Sequence, residues 1–239
     1  MPLRIYKKKL DYSYTFGSFP VIEMLKKIPE KVITVLISEQ YQRYEGIDLI
    51  KSLCKKNDIN YDLSTHTIRK LSVKENTIAI GVFKKYQSKL MVNQDHLFLD
   101  NPSDMGNVGT IIRTMIGFGI NNLAIIRPGV DIFDPKVIRT TMGAIFDLHF
   151  EFFNSFQEYK NLYPDNNNFY PFLLKGDSEL TKIKFEQPAT LIFGNEGRGL
   201  DDFYKKLGKS IKISHSENID SLNLSIAVGI ALHQFYVQK

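Results

Sequence analysis

From His96 to the C-terminus, apolar runs of strand length alternate with stretches of helical spacing, and this order restricts the fold more than any other feature of the chain. Strands separated by helices pair in parallel, because the crossover needs a dozen or more residues and a helix supplies them. Leu97-Phe98-Leu99 predicts a strand, Asn101-Pro102-Ser103-Asp104 breaks it, and Asn107 to Ile116 predicts a helix ended by Gly117 and Gly119. Leu123-Ala124-Ile125-Ile126 is the next strand. Asp134-Pro135 reads as an N-cap followed by proline at the first helical position, opening a helix through Phe146. Three successive asparagines within Asn161 to Tyr170 predict a surface loop there. Leu191-Ile192-Phe193 and Ile211-Lys212-Ile213 are further strands, and Leu222 to Tyr236 is a final, largely apolar helix that must be buried or at an interface. The expected class is α/β with a mainly parallel sheet in this part.

The preceding part also mixes helices and strands. Val21 to Leu25 is helical, Val32 to Ile37 is a β-branched strand, Ile47 to Lys55 places Ile47, Ile50 and Cys54 on one helical face, and Thr77 to Phe83 is another strand. We read it as a small α/β sandwich. Lys84 to Gln94 is polar and aperiodic, the best linker candidate, so the expected domains are residues 1–90 and 95–239. Charge divides the same way: residues 1–93 carry 17 Lys and Arg against 9 Asp and Glu, the remainder 14 against 17. A basic module beside a near-neutral one suits a polyanion-binding domain joined to a catalytic one, although Lys26-Lys27, Lys55-Lys56 and Lys84-Lys85 are equally readable as solvated helix faces. The lone Cys54 excludes an intramolecular disulfide and a zinc site built on several thiolates, and reads as a small buried side chain. No apolar run approaches the roughly 20 residues of a membrane span. Lys7-Lys8-Lys9 leads into Asp11-Tyr12-Ser13-Tyr14 instead of an apolar stretch, so a secretory signal is not expected and a cytoplasmic location is.

Three segments carry candidate chemistry. In the first, Asn101 to Thr114, Asn107 and Arg113 are six residues apart and both can lie toward one side of the helix; an arginine among Ile111, Ile112, Met115 and Ile116 needs either a structural anionic partner or a functional cavity. The second, Leu191 to Leu200, is a strand running into Gly194-Asn195-Glu196-Gly197-Arg198-Gly199. Its glycines fit a plain tight turn or a close backbone approach to a ligand, and Glu196 stands at the strand end where ligands of open parallel sheets gather. It is neither a Walker loop nor a dinucleotide fingerprint. In the third, Ile211 to Ile230, a strand and polar loop lead to an apolar helix with Ser221 and Asn223 at its start, where free N–H groups and amide side chains can hold a polar ligand.

In this order and spacing the segments closely resemble the three motifs of the SpoU/TrmH branch of the SPOUT methyltransferases. The likeness rests on Asn107, Gly109, Arg113 and Thr114; on Gly194, Glu196, Gly197, Gly199 and Leu200; and on Ser221, Leu222, Asn223, Ser225 and Ala227. It spans roughly Asp95 to Lys239, while Phe16 to Tyr86 more loosely resembles the RNA-binding substrate domain often fused ahead of it. Ser214-His215 stands where the family often has Pro-Met, and Glu217 where glycine is common.

The resemblance implies an α/β fold with a deep C-terminal trefoil knot, which periodicity alone would not predict because knots are nearly absent among proteins. It implies a homodimer with active sites near the interface, structured RNA (tRNA or rRNA) as partner, and methyl transfer from S-adenosylmethionine to a ribose 2′-hydroxyl with no metal. The matching cofactor positions are Gly194, Ile213 and Leu222, and the catalytic neighbourhood is Asn107, Arg113, Glu196, Ser221 and Asn223. A guanidinium is effectively always protonated, so Arg113 is expected to clamp a phosphate and stabilise developing alkoxide, with Asn107 and Asn223 orienting groups and Glu196 holding Arg113 or a loop amide. The alternatives are a SPOUT enzyme acting on a base nitrogen and a non-catalytic RNA-binding protein.

Overall fold

The computed structural model describes residues 3–72 and 76–239. In chain order its strands and helices are β1 (Tyr12–Phe16), α1 (Ser18–Lys27), β2 (Val32–Ile37), α2 (Ile47–Lys56), β3 (Tyr61–Leu63), α3 (Thr65–Leu71) and β4 (Ala79–Lys84). There follow β5 (His96–Asp100), α4 (Met105–Gly117), β6 (Asn122–Ile126), α5 (Pro135–Thr141), β7 (His149–Phe153) and α6 (Phe156–Leu162). The chain closes with β8 (Asn168–Pro171), β9 (Ser178–Glu179), β10 (Ala189–Phe193), α7 (Asp202–Lys205), β11 (Ile211–Lys212) and α8 (Leu224–Tyr236). Two compact units result, one of Met1–Tyr86 with Asp131–Asp147, the other of Gln87–Val130 with Leu148–Lys239.

The first unit is built on a sheet of order β1-β4-β2-β3, antiparallel except for the β2–β3 pair. Period-two alternation sends Tyr12, Tyr14, Ile80 and Val82 to the face where Ile68 of α3 packs. Gly81, between the last two, faces α1 so closely that a Cβ would stand 2.4 Å from the Met24 Cε. Ile47, Ile50 and Cys54 are buried on α2, as their spacing predicts. The segment 131–147 packs within this unit: α5 lies against β1, and the Ser13 hydroxyl donates to the Phe133 carbonyl at 2.6 Å. The helix expected to run from Asp134 through Phe146 stops at Thr141, because Met142 and Gly143 take positive φ (50° and 89°) before a 3₁₀ turn over Ala144–Asp147.

The second unit is a five-stranded sheet of order β7-β6-β5-β10-β8 in which every pair is parallel. On one face Phe98, Ala124 and Ile192 join Phe156, Tyr159 and Tyr204 in an aromatic cluster. The alternating residues Leu97, Leu99, Leu123, Ile125 and Leu191 are fully buried, so both faces are covered, as an all-parallel sheet requires. α4 and α8 pack against each other. The surface loop expected over Asn161 to Tyr170 is shorter than that: α6 extends to Leu162 and β8 begins at Asn168, with Phe169 and Tyr170 buried. Even Asn166 is buried, its amide donating to the Gln94 carbonyl at 2.7 Å.

Candidate active site

The sheet order fixes where a ligand fits. From β5 the chain steps outward to β6 and β7, while on its other side β5 is flanked by β10, so the loops after β5 and β10 leave the sheet in diverging directions. Ligands of open parallel sheets bind in the crevice beyond the strand ends at such a point. Phe193 ends β10 and Asp100 ends β5, which brings the first two sequence segments together at this crevice.

Glu196 joins the two loops. Its Oε2 accepts the Ser103 backbone N–H at 3.0 Å and the Ser103 hydroxyl at 2.7 Å, and its Oε1 accepts the Asp104 N–H at 3.0 Å and the Asn107 amide at 3.4 Å. Burial pushes this carboxyl up, but the bonds from the Ser103 hydroxyl and the Ser103 and Asp104 N–H groups outweigh it and hold Glu196 below the usual carboxylate range. Ionised and engaged by these four donors and by the Asn195 amide at 3.5 Å, it is an organiser of the loops and a poor base. The expectation that Glu196 might hold Arg113 gives way to its other form, that it holds loop amides.

Asn107 passes the connection onward. Its Oδ1 accepts from the Asn223 amide at 3.0 Å, and the Asn223 Oδ1 caps α8 by accepting the Ser225 N–H at 2.9 Å and the Ser225 hydroxyl at 2.7 Å. Glu196, Asn107 and Asn223, one from each segment, therefore form one hydrogen-bonded chain. The helix expected from Leu222 begins at Leu224 with Asn223 as its cap, which leaves Ser221 and Leu222 in the preceding loop.

The turn after β10 has one permissible shape at Gly194. Asn195 bridges to Gly199, whose φ is 69°, and a Cβ on Gly194 would stand 2.1 Å from the Gly199 carbonyl carbon. Asn195 Oδ1 accepts the Gly197 N–H at 2.9 Å while its amide donates to the Asn101 carbonyl at 2.8 Å. Arg198 donates to the Asn101 side chain, so this loop is tied again to the end of β5.

Beside the turn lies a cavity of about 360 Å³, lined by residues that include Gly194, Glu196, Ile213, Ser221 and Leu222. All three expected cofactor positions are among them. The Phe172 and Phe193 rings stack at 4.4 Å in its wall, and Ile211, Leu200 and Leu224 extend the apolar lining. Lys175, Glu196, Arg198 and Asp202 supply charges of both signs. The volume and mixture fit one small molecule with a flat apolar ring and a charged tail.

Arg113 stands apart. It is exposed on α4, lines no part of this cavity, and makes no hydrogen bond or ion pair among the described residues. Six residues of helix carry it about 9 Å along the axis and roughly 120° around it from Asn107, so the two do not share a side as the sequence reading allowed. The residues that reasoning from sequence missed are Ser103, Asp104 and Asn195. Asp104 had a signal, since an Asp before a helical run is a cap, and it does accept the Asn107 N–H at 2.7 Å. Among the described residues no group of three or more His, Cys, Asp or Glu is placed to hold a metal, and no helix is long and apolar enough to cross a membrane.

A parallel α/β unit with a hydrogen-bonded polar chain and a mixed cavity at its topological switch point is the frame of a small-molecule-dependent enzyme. The chain belongs to the SpoU rRNA Methylase family, whose sequence model matches residues 95–233. Among curated relatives, an uncharacterized tRNA/rRNA methyltransferase of Synechocystis is 31% identical over 146 residues, 58% of this chain and 51% of the relative. The 23S rRNA (uridine(2479)-2'-O)-methyltransferase of Streptomyces viridochromogenes is 28% identical over 160 residues, 63% of this chain and 56% of the relative. The matched stretch thus spans little more than half the length of these relatives. Among solved structures, the SpoU methyltransferase AviRb from Streptomyces viridochromogenes in complex with AdoMet superposes with a TM-score of 0.83 at 20% identity, covering 95% of this chain and 90% of that one. An AdoMet-bound rRNA methyltransferase from Sinorhizobium meliloti gives 0.79 at 23% identity, covering 94% and 87%. These likenesses establish the fold.

Proposed function

We propose that this protein transfers a methyl group from S-adenosylmethionine to a ribose 2′-hydroxyl in tRNA or rRNA. The observation that carries the reading is the mixed cavity adjoining the Glu196–Asn107–Asn223 chain, with one member from each of the three segments and Gly194, Ile213 and Leu222 in the cavity wall. Family membership and the 2′-O-methyltransferase activity for which the Streptomyces viridochromogenes relative is named support it. When bound, the cofactor supplies an electrophilic methyl on its sulfonium. The apolar wall would take the adenine ring and the charged residues the amino-acid tail.

The chain's own work is then positional. Glu196 fixes the loops after β5 and β10 relative to each other, and Asn107 and Asn223 present amide groups at the crevice. Arg113, without a hydrogen-bond or ion-pair partner among the described residues, is available to an RNA phosphate and to the alkoxide that develops on the 2′-oxygen. Ser221, in the loop before α8, belongs to the same neighbourhood.

The reading includes a homodimer. Ile226 and Ile230, 55% and 40% exposed, fall on one stripe of α8 that Val237, 59% exposed, continues just past the helix end, an apolar strip that a second copy would cover. Because α4 packs on α8, such an interface lies beside the helix that carries Arg113. It also includes the trefoil knot, supported by the parallel pairing of β11 with β9 and of Ile211 with Phe172, which sets the chain leading to α8 alongside 172–179. Residues 1–90, with their excess of positive charge, are assigned to RNA binding as a basic domain ahead of a knotted domain over 95–239, from which the segment 131–147 packs with the first unit, and the protein is assigned to the cytoplasm.

Transfer of labelled methyl to an RNA substrate, compared with the same RNA carrying a 2′-deoxy nucleotide at the modified position, tests the reaction. Loss of transfer on the deoxy substrate is expected. Persistent transfer would assign the activity to a base, and no transfer to either RNA would leave a binding protein.

A further inference from the structure

We propose that His215 reads the adenine of the cofactor, its Nε2 accepting a hydrogen bond from the exocyclic 6-amino group. The inference rests on the assignment of the cavity to S-adenosylmethionine.

The tautomer follows from one contact. His215 lines the cavity and its Nδ1 lies 2.9 Å from the Ile213 carbonyl oxygen. A carbonyl only accepts, so Nδ1 carries the proton, and a neutral imidazole has only one. Nε2 is therefore an acceptor, and no other hydrogen bond of this ring is present among the described residues.

The cavity is polarised in a way that orients the ligand. Its charged side chains, Lys175, Glu196, Arg198 and Asp202, all come from the segments that follow β8 and β10, where they stand beside the apolar Phe172, Phe193 and Leu200. The wall contributed by β11, the loop after it and α8 offers Ile213, Leu222, Leu224 and Ala227 with two polar side chains, His215 and Ser221. Setting a charged ligand group against that apolar wall forfeits its solvation without a partner, so the amino-acid tail goes to the charged side and the uncharged adenine to the β11 and α8 side. On an adenine ring the donor is the 6-amino group, while N1, N3 and N7 only accept. An acceptor nitrogen on this wall thus matches the 6-amino group of adenine, and it opposes the oxygen that replaces that amine in hypoxanthine, whose remaining donor, N1–H, stands one ring position away.

The test is direct binding of two non-reactive ligands, S-adenosyl-L-homocysteine and S-inosyl-L-homocysteine, to the full chain by titration calorimetry, with His215→Ala and His215→Phe alongside. Wild-type protein should prefer the adenosyl ligand by about tenfold or more, the ratio expected when a hydrogen bond is replaced by two facing acceptors. Both variants should bring that ratio close to one, mainly by weakening the adenosyl ligand. Because the ratio is measured within each protein, a general loss of affinity leaves it unaffected, and since His215 is exposed neither substitution is expected to disturb the fold. Variants that keep the wild-type ratio would overturn the role of His215 while the cofactor assignment stands. A wild-type protein that binds neither ligand would overturn the cofactor assignment and the inference with it.

Discussion

Replacing Glu196 with Gln probes the junction on which the site depends. Each carboxylate oxygen accepts a backbone N–H, Oε1 from Asp104 and Oε2 from Ser103. A glutamine has one oxygen, so whichever way its amide turns, the NH₂ group faces one of those N–H donors. The isosteric variant loses one backbone bond, leaves that donor without an acceptor, and removes the charge from the remaining contacts. A bond to a charged group contributes about 1.5–3 kcal/mol and a stranded donor costs about 1–3 kcal/mol. Glu196 is only partly buried, so solvent screens the charge and replaces part of the lost bonding, and the expected cost is about 2 kcal/mol. For a chain of this length that lowers the melting temperature by about 4–8 °C. The effect has a pH signature. A carboxyl held low in the fold stabilises fully above its unfolded pKa of about 4.3, and the contribution is lost as pH falls through the folded value. The gap between wild type and Glu196→Gln should be constant near neutrality and should close in acid. Calorimetric melting across that range, with cofactor affinity measured in parallel, checks both parts. A variant that melts with the wild type at neutral pH, or a gap unchanged in strong acid, would refute the reasoning.

Arg113→Lys and Arg113→Ala should each lower methyl transfer by about two or more orders of magnitude, since the role needs a planar fork of donors, while cofactor affinity and melting stay near wild type because Arg113 lines no part of the cavity and has no hydrogen-bond or ion-pair partner among the described residues. Single-turnover transfer at the wild-type rate would remove Arg113 from the reaction. Burial holds the His96 imidazole below its usual value, with Nδ1 against the Tyr159 hydroxyl at 2.8 Å and Nε2 against the Met91 carbonyl at 2.9 Å. The neutral ring is the one the fold favours, so stability should be level above about pH 6.5 and fall as pH drops below it, and His96→Gln should flatten that slope in urea unfolding. Ile230→Glu places a charge in the exposed apolar stripe of α8 and should shift sedimentation from dimer to a single 27.5 kDa chain, whereas an unchanged dimer would move the interface elsewhere.

The reach of the sequence ended where backbone geometry took over from pattern. Leu97 to Leu99 and Leu191 to Phe193 were readable because buried parallel strands are unbroken apolar runs, whereas their pairing with each other was not, because strand order across so long a stretch of chain leaves no local pattern. The cavity residues Gly194, Ile213 and Leu222 were reachable only through the family resemblance, because contacts among residues so far apart have no local period. Arg113 showed the limit of spacing: six residues are not a whole number of turns, so the chemistry of the side chain pointed to a role but not to a place. Asn166 to Asn168 misled for a different reason. Polar composition marks loops on average, yet Asn166 is buried by satisfying the Gln94 carbonyl, and Phe169 and Tyr170 pull the following residues into the sheet.

Glu196 and Ser103 are 93 positions apart, yet they meet because β10 lies directly beside β5. Of the strands between them in the chain, β6, β7 and β8 belong to the flanks of the five-stranded sheet and β9 pairs separately with β11, so the central pair closes the largest loop of that sheet, and loop closure must be met before its contacts reward it. A nascent chain that has delivered β5, β6 and β7 has the left half of the sheet and no crevice. The ligand-binding end therefore comes into being only when the last long-range pairing is made, and ligand affinity acquired during refolding should report completion of that pairing, lagging behind the burial of the β5–β7 side.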